Sequence, residues 1–273
     1  MKRDNRERTF TLSSITIALT IALLTTCSFT SVNAQTLPAM SLTVTGPSGT
    51  SQTLDNVTIG NLPSYSGYGG FWKNGAPSSY ANYTGVPLTT IGNLVGGINQ
   101  NTFVDVISTV GGYYDFNFSY SQVVNGIINA TSCADDYPLT TANLVDAQVN
   151  QTQPITMMLA YEFANGTIIP SSHGPLYLTF VGPEGLLVVP SPSLSGGKPW
   201  VSTVTNVSIW WTGDFYCSHT VDYNDIVYFV DAYIAANSAV PTVNPRCDFN
   251  CDGQINYNDI IAFVDCYIAA NTL

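Results

Sequence analysis

The sequence predicts an α+β protein, in which a strand-rich mixed domain is followed by a small all-α pair of loop-helix units. Between residues 36 and 209, short segments rich in Val, Ile, Thr, Tyr and Phe alternate with Gly, Pro and Asn, as in β-rich domains. The C-terminal part instead places apolar residues at helical spacing after acidic loops. At 273 residues the chain can form two domains, each with its own core. We predict boundaries after Ala34 and Ile209.

The segment from Met1 to Ala34 has the pattern of a secretory signal peptide. Four basic residues precede an uncharged apolar run from Phe10 to about Thr26, and Val32-Asn33-Ala34 provides a cleavage site before Gln35. The alternative is an uncleaved membrane anchor, because the run approaches the roughly 20 residues that a spanning helix needs. We therefore expect a secreted or cell-surface protein, which contacts the membrane only if this segment is retained.

The chain is acidic, with a net charge of −11. Four of its seven bases and two of its eighteen acids lie in this signal segment, so the remainder has three bases against sixteen acids, about −13. This balance argues against a nucleic-acid partner, because phosphate binding needs clustered Lys and Arg. Seven N-x-[ST] sequons agree with an exported glycoprotein. They begin at Asn56, Asn82, Asn117, Asn129, Asn150, Asn165 and Asn206.

Five cysteines remain beyond the signal segment, and four of them lie from Cys217 onward. In an exported small domain this density predicts disulfide bracing, although the sequence does not choose among the pairings. Zinc binding is the competing interpretation, and the absence of a CxxC pair argues against it. The five are Cys133, Cys217, Cys247, Cys251 and Cys266.

Six strands and two short helices are predicted ahead of Trp210. One helix begins near Pro87 and ends at Gly96-Gly97, and another follows Ser121. The stretch Leu62–Asn82 is rich in Gly, Ser, Pro and Tyr and is interpreted as a long surface loop. The predicted strands are Ser41–Thr45, Val104–Val110, Tyr114–Tyr120, Ile155–Tyr161, Leu176–Val181 and Val201–Ile209.

Catalytic residues are not evident in this region. His173 and His219 are the only histidines of the chain, and the acids that could form a glycosidase-like pair have no fixed separation. Aromatic residues in and beside the predicted loop could stack on a sugar, which makes carbohydrate a candidate partner; the alternative is that they cover the domain's own core. The acids are Asp135, Asp136, Glu162 and Glu184, and the aromatics are Tyr65, Tyr68, Phe71, Trp72, Tyr80 and Tyr83.

Three segments together resemble, in order and spacing, the sulfite-oxidase-like molybdopterin-binding fold. They are Tyr83-Thr-Gly-Val-Pro-Leu88, Met157-Met-Leu-Ala-Tyr-Glu162, and His173-Gly-Pro-Leu176 leading to Phe180-Val-Gly-Pro183. The segment from Lys198-Pro-Trp-Val to Val207-Ser-Ile209 resembles the last strand of that fold. The resemblance covers about residues 38 to 209 and implies a strand-rich oxidoreductase domain.

The cofactor chemistry that this resemblance implies lacks its ligands here. The family holds molybdenum through a cysteine ahead of the Gly-Val-Pro-Leu segment, but residues 35 to 85 contain no cysteine. Only Lys73 and Lys198 are available between residues 35 and 209 for a pterin phosphate. We expect a non-catalytic scaffold that does not bind molybdopterin. The alternative is a secreted enzyme, either a molybdopterin-type oxidoreductase or a carbohydrate-active component.

The stretch Asp248–Asp259 has the pattern of a calcium-binding loop. Oxygen-bearing side chains stand at positions 1, 3, 5, 9 and 12, with glycine at position 6 and an apolar residue at position 8. Position 7 supplies a backbone carbonyl in such loops. The predicted metal ligands are Asp248, Asn250, Asp252, Gln254, Asn256 and Asp259.

The stretch Asp214–Asp225 aligns with this loop without gaps, and the match continues through the following segment. In both copies apolar residues recur at i, i+3, i+4, i+7 and i+8, which predicts two amphipathic helices that pack together. In the first copy Tyr216, Ser218 and His219 replace the residues expected at positions 3, 5 and 6. We expect a weak or absent second calcium site there. Its candidate ligands are Asp214, Thr220, Asp222 and Asp225.

Two loop-helix repeats of this length resemble a type I dockerin, over about residues 212 to 271. The resemblance implies calcium-dependent docking onto a cohesin-like domain of an extracellular, often polysaccharide-processing, assembly. It also implies that loop positions 10 and 11 contact the partner and, being identical in the two copies, allow two binding orientations. The alternative is that calcium braces the C-terminus against the preceding domain. The predicted partner-binding residues are Tyr223, Asn224, Tyr257 and Asn258.

Overall fold

The protein has the predicted α+β architecture. The computed structural model describes residues 37–73, 76–108, 114–126, 139–142, 154–182, 186–190, 200–250 and 252–272, which form two mixed β-sheets and five helices. The predicted signal segment lies outside these residues. Within them, no helix combines the length and the hydropathy needed to cross a bilayer.

The first sheet has five strands in the order β2-β1-β11-β5-β6. Strands β1 and β11 run parallel, whereas the other neighbours are antiparallel. Valine and isoleucine side chains along β5 and β11 are buried, so this sheet covers one side of the main core. The strands are β1 (Ser41–Thr45), β2 (Ser51–Asp55), β5 (Thr102–Ser108), β6 (Tyr114–Ser119) and β11 (Asn206–Trp211).

The second sheet has six strands in the order β4-β8-β9-β3-β10-β7. Strand β3 pairs with β4 as well as β9, so β4, β8, β9 and β3 close into a ring. Closure satisfies the backbone groups that an open edge would leave exposed. The strands are β3 (Tyr65–Lys73), β4 (Ala76–Pro87), β7 (Leu139–Ala142), β8 (Thr156–Phe163), β9 (Tyr177–Gly182) and β10 (Leu186–Pro190).

Five helices accompany the sheets. Both short helices predicted from sequence are confirmed: α2 continues into a 3₁₀ turn that ends at Gly96, where φ is +109°, and α3 begins with a capping box between Ser119 and Gln122. The two long C-terminal helices begin two residues before the ends of the acidic loops. The helices are α1 (Asn56–Gly60), α2 (Leu88–Gly92), α3 (Tyr120–Val123), α4 (Tyr223–Ala236) and α5 (Tyr257–Asn271).

The prediction of a long surface loop at Leu62–Asn82 is wrong, because these residues form most of the β3–β4 hairpin. The glycines that suggested a loop allow close packing instead. A side chain at Gly67 would press on Val181, and one at Gly69 would meet the backbone of the neighbouring strand. Val201–Thr205, predicted as the start of the last strand, precedes β11. Strands β2, β7 and β10 were not predicted.

Buried apolar residues form two clusters. The larger lies among the two sheets, and the smaller belongs to the C-terminal helices and loops. Trp211, the last residue of β11, is 2% exposed and lies in the smaller cluster. The last strand therefore leads directly into the second core without a linker.

Candidate calcium-binding loops

Two acidic loops, loop 1 (Asp214–Asp225) and loop 2 (Asp248–Asp259), end in the first turns of α4 and α5. In each loop, position 9 is the helix N-cap. The Asp222 carboxylate accepts a bond of 2.7 Å from the Asn224 N–H, and the Asn256 amide oxygen accepts one of 2.9 Å from the Asn258 N–H. The acids at position 12 complete capping boxes in both helices. The side chains at positions 9 and 12 therefore fix the start of each helix.

Loop 2 turns around the two acids at its ends. The carboxylate of Asp248 accepts N–H bonds from Asp252 (3.2 Å) and Gly253 (2.8 Å). The carboxylate of Asp259 accepts bonds of 2.8 Å from the N–H groups of Phe249 and Asn256. Asp248 and Asp259 are 4% and 0% exposed, so the loop folds around two buried carboxyl groups.

The remaining predicted ligands of loop 2 surround Asp252. One of its carboxylate oxygens accepts bonds of 3.1 Å from the side-chain amides of Asn250 and Asn256, and the other accepts one of 2.9 Å from the Gln254 N–H. Hydrogen bonds thus connect all six predicted ligands within loop 2. Within the described residues, no group of three or more His, Cys, Asp or Glu side chains is placed to hold a metal. The end acids of loop 2 accept hydrogen bonds from backbone N–H groups in this structure. The predicted calcium ligands also include the amide side chains of Asn250 and Asn256, which are not among those four residue types.

Loop 1 repeats the backbone hydrogen bonds of loop 2. The carboxylate of Asp214 accepts bonds from the N–H groups of Ser218 (2.9 Å) and His219 (2.8 Å), and that of Asp225 accepts one from Phe215 (2.8 Å). Of the two other candidate ligands, Asp222 caps α4, and Thr220 is exposed with its hydroxyl 2.8 Å from that of Ser218. The position 3 residue, Tyr216, is also exposed. The end acids are kept in loop 1, but its middle lacks the acid and amide oxygens of loop 2.

The sixth position has a left-handed backbone in both loops. Gly253 has φ +82° and His219 has φ +63°, although a histidine is strained in this region. The His219 ring stacks on the Trp210 ring with centroids 4.1 Å apart and planes 13° apart. A Cβ placed on Gly49, in the β1–β2 turn, would lie at ordinary contact distance from His219. His219 therefore packs loop 1 against the end of β11 and the β1–β2 turn.

Loop 1 keeps buried acids at both of its ends. Asp214 and Asp225 are 0% and 1% exposed. Burial raises the pKa of the Asp225 carboxyl, and the charges of Asp214 and Asp222 add to this rise, while backbone N–H bonds oppose it. Arg246, the only Lys or Arg of the sequence after β11, donates to the carbonyl oxygens of Phe215 (3.0 Å) and Asp214 (3.2 Å). Buried carboxylates of this kind match the hard oxygen ligands that calcium prefers.

The two repeats hold each other by reciprocal contacts that were not predicted. The Asn237 side chain, at the end of α4, donates to the Ile255 carbonyl of loop 2 at 3.1 Å, and Asn271, at the end of α5, donates to the Val221 carbonyl of loop 1 at 3.0 Å. Phe229 and Phe263 stack between the helices, 4.7 Å apart. The signal for the asparagines was present in sequence, since both copies end in Ala-Ala-Asn.

The cysteines in the described residues are free thiols: Cys217 is exposed, whereas Cys247 and Cys266 are buried. The predicted disulfide bracing therefore does not join these three, and Cys133 and Cys251 lie outside the described residues. Burial raises the pKa of Cys247 to about 12 and that of Cys266 to about 11. The Cys266 sulfur accepts the Gly213 N–H at 3.2 Å, which ties α5 to the segment after β11.

The predicted partner-binding residues are exposed. Tyr223 and Tyr257 are 74% and 69% exposed, and Asn224 and Asn258 beside them also face solvent. An apolar groove of about 240 Å³ runs between α4 and α5. It is lined by equivalent residues of the two repeats: Ile226, Phe229, Val230, Tyr233, Ile260, Phe263, Val264 and Tyr267. The module thus presents two matching Tyr-Asn pairs beside an apolar surface.

The three N-terminal motifs meet in the closed ring of strands. Tyr83 lies 6.2 Å from Tyr177 and 5.9 Å from Trp200 between ring centroids, and burial raises the pKa of Tyr83 and takes that of Tyr177 to about 12. The His173 ring stacks on Tyr177 at 4.7 Å, and Glu162 is half-buried with a raised pKa. Asp135, Asp136, Glu184 and Lys198 lie outside the described residues.

The aromatic residues in and beside the mispredicted loop differ in exposure. Tyr83 is 3% exposed and belongs to the main core. Tyr65, Tyr68 and Tyr80 are 37%, 44% and 44% exposed, and Tyr68 stacks on Tyr80 with centroids 5.8 Å apart. The β3–β4 hairpin therefore carries three exposed tyrosines, and Tyr83 near its end belongs to the core.

Comparison with solved structures finds a weak likeness. The chain is similar to the crystal structure of the sulfane dehydrogenase SoxCD from Paracoccus pantotrophus, with a TM-score of 0.39 and 17% sequence identity. The match covers 63% of this chain and 38% of that one. No protein-family model matches the chain, and no curated protein does so.

Proposed function

We propose that this is an exported calcium-binding protein whose C-terminal module docks it onto a cohesin-type domain in an extracellular, polysaccharide-processing assembly. The observation that carries the proposal is the exposed Tyr-Asn pair at the start of each C-terminal helix. The pairs recur at the same positions of two loops that share one hydrogen-bond pattern. Identical exposed side chains on a repeated unit suit a module that binds one partner in two orientations.

Calcium would be held by loop 2. Asp248, Asn250, Asp252 and Asp259 supply side-chain oxygens, Gln254 supplies its carbonyl, and Asn256 lies at position 9. Each carboxylate oxygen has two lone-pair directions, so an oxygen that accepts an N–H bond retains capacity for a cation. When bound, calcium offsets the buried charges at the loop ends. Asp259 and Asn256 also cap α5. An ion bound in loop 2 would therefore fix the positions of Tyr257 and Asn258 at the start of that helix.

The N-terminal domain would act as a scaffold rather than as an enzyme. Tyr83, Tyr177 and Trp200, on and beside its ring of strands, are buried and pack on one another. The sequence ahead of Tyr83 offers no soft ligand for molybdenum. Metal analysis of the purified full chain should find calcium without molybdenum. Stoichiometric molybdenum would contradict the scaffold assignment and favour the enzyme alternative.

Docking is tested by measuring the affinity of the full chain for purified cohesin domains, with calcium and with EDTA. We expect binding that EDTA abolishes, because loop 2 is then no longer held by its ion and the contacts of Asn237 and Asn271 couple it to loop 1, so both pairs lose their positions. Binding that is equal in calcium and EDTA would contradict the proposal.

Two matched double variants separate the orientations. Tyr223→Ala/Asn224→Ala and Tyr257→Ala/Asn258→Ala should each leave affinity within about 2-fold, since the other pair still binds, whereas the quadruple variant should lose about 100-fold or more. Circular dichroism with calcium is the control for folding. Full affinity in the quadruple variant would exclude these pairs as the docking surface.

A further inference from the structure

The described residues contain five of the seven sequons, and one of them differs sharply from the rest. Asn165 lies at the tip of a tight turn after β8, where Gly166 has φ +81°. The turn is closed by N–H bonds of 2.8 Å from Gly166 to Phe163 and from Phe163 to Thr167. Asn165 and Thr167, the two residues that a glycosyltransferase must read, are both exposed.

The side chains of this sequon are also free to react. The Asn165 amide oxygen accepts the Thr167 N–H at 2.9 Å, which orients the side chain over the turn. The amide nitrogen is the atom to which a sugar would be attached. Within the described part of the chain, it and the Thr167 hydroxyl make no hydrogen bond with another residue.

The hydroxyl residues of the other described sequons are engaged. The Thr58 hydroxyl donates to Asp55 at 2.7 Å, the Thr84 hydroxyl lies 2.7 Å from that of Ser66, and the Ser119 hydroxyl caps α3. Ser208 is buried at 9% exposure. Modifying these sequons in the folded chain would therefore break a hydrogen bond or, at Ser208, uncover a buried residue.

The asparagines of those four sequons are also poorly placed. The Asn56 amide nitrogen donates to the Leu37 carbonyl at 3.1 Å. Asn82, Asn117 and Asn206 are half-buried within β4, β6 and β11. A glycan is bulky and needs solvent, so a strand residue between paired neighbours cannot carry one without disturbing the sheet.

We propose that Asn165 is the N-glycosylation site among the described sequons. The Asn165 amide nitrogen attacks the first carbon of a polyprenyl-diphosphate-linked sugar in a transferase. The C–N bond forms as the bond from that carbon to the diphosphate oxygen breaks, the amide proton passes to a base of the transferase, and the polyprenyl diphosphate leaves. No oxidation or reduction occurs.

The test uses the full chain, secreted from a host with an N-glycosylation pathway, and carrying Asn129→Gln/Asn150→Gln so that any glycan comes from a described sequon. Its mass is compared before and after treatment with peptide N-glycosidase, with peptide mapping of each sequon. We expect one glycan per chain, at Asn165. Asn165→Gln and Thr167→Ala should both abolish it.

The matched control is Thr58→Ala, which removes the hydroxyl of the Asn56 sequon and should leave the glycan unchanged. Because Asn165 and Thr167 are exposed in a turn, neither substitution removes a buried group. A secreted chain without a glycan at Asn165 would overturn the proposal. So would equal occupancy at Asn56, Asn82, Asn117 or Asn206.

Discussion

Loops 1 and 2 share a backbone hydrogen-bond pattern but differ in the side chains that could bind metal. In both, the acid at position 1 accepts the N–H groups of positions 5 and 6, and the acid at position 12 accepts those of positions 2 and 9. Positions 3, 5 and 6 are Asn250, Asp252 and Gly253 in loop 2, and Tyr216, Ser218 and His219 in loop 1.

This difference separates two roles that a calcium loop usually combines. The end acids form the loop and cap the helix, and both loops keep them. The middle residues supply further oxygens, and only loop 2 keeps those. Loop 1 instead gains the stack of His219 on Trp210, a contact with the end of the last strand. Loop 2 thus keeps the side chains that could bind a metal, whereas loop 1 packs on the last strand of the first sheet.

The largest expected difference is in alkylation rate, between an exposed thiol of the first repeat and a buried thiol of the second. Cys217 of loop 1 is exposed, whereas Cys266 of α5 is buried with a pKa of about 11. At pH 8 only about one in a thousand Cys266 side chains is a thiolate, the form that alkylates. Iodoacetamide should label the exposed Cys217 more than about 100-fold faster than Cys266, measured by peptide mapping. Guanidinium should equalise the rates, and comparable rates in the native protein would contradict the burial of α5.

Calcium affinity should show the next largest difference. Asp248→Asn removes a buried carboxylate from loop 2 and should weaken calcium binding about 100-fold. The matched variant Asp214→Asn in loop 1 should change it by less than about 3-fold, because loop 1 lacks the other ligands. Isothermal titration calorimetry measures both. Two equally tight sites in the unmodified protein, or equal losses in the two variants, would show that loop 1 also binds calcium.

Much of this asymmetry could be predicted from the sequence, because ligand residues at fixed loop positions are a local signal. The loop-helix repeat, the helices and the substitutions in loop 1 are all visible there. The stack of His219 on Trp210 could not be predicted, since it depends on how loop 1 returns to β11. The β3–β4 hairpin was mispredicted for the same reason, because it depends on contacts between residues that are distant in sequence. Its glycines resemble those of a loop in sequence, and only the neighbouring Val181 shows that they serve close packing.

The reciprocal asparagines test how far the loops depend on each other. Asn237→Ala and Asn271→Ala each leave a carbonyl of the opposite loop without its bond, and each should lower the free energy of unfolding by about 1 kcal/mol. Because Asn237 contacts loop 2, its variant should also weaken calcium binding, whereas Asn271→Ala should not. Denaturant unfolding and calcium titration check both. The opposite order of calcium effects would mean that the metal lies in loop 1.

The smallest effect concerns the sixth position, where the same backbone conformation holds different residues. A Cβ on Gly253 meets nothing within 4 Å, so Gly253→Ala should cost only the penalty of its positive φ, about 1 kcal/mol. His219→Ala and His219→Gly both remove the stack on Trp210, and they differ only in that same backbone penalty. The free energies of unfolding of these two variants, measured without calcium, should therefore also differ by about 1 kcal/mol, with the glycine variant more stable. Equal stability would mean that loop 1 relaxes to a negative φ once the ring is gone, and that His219 itself imposes the left-handed turn by packing on Trp210.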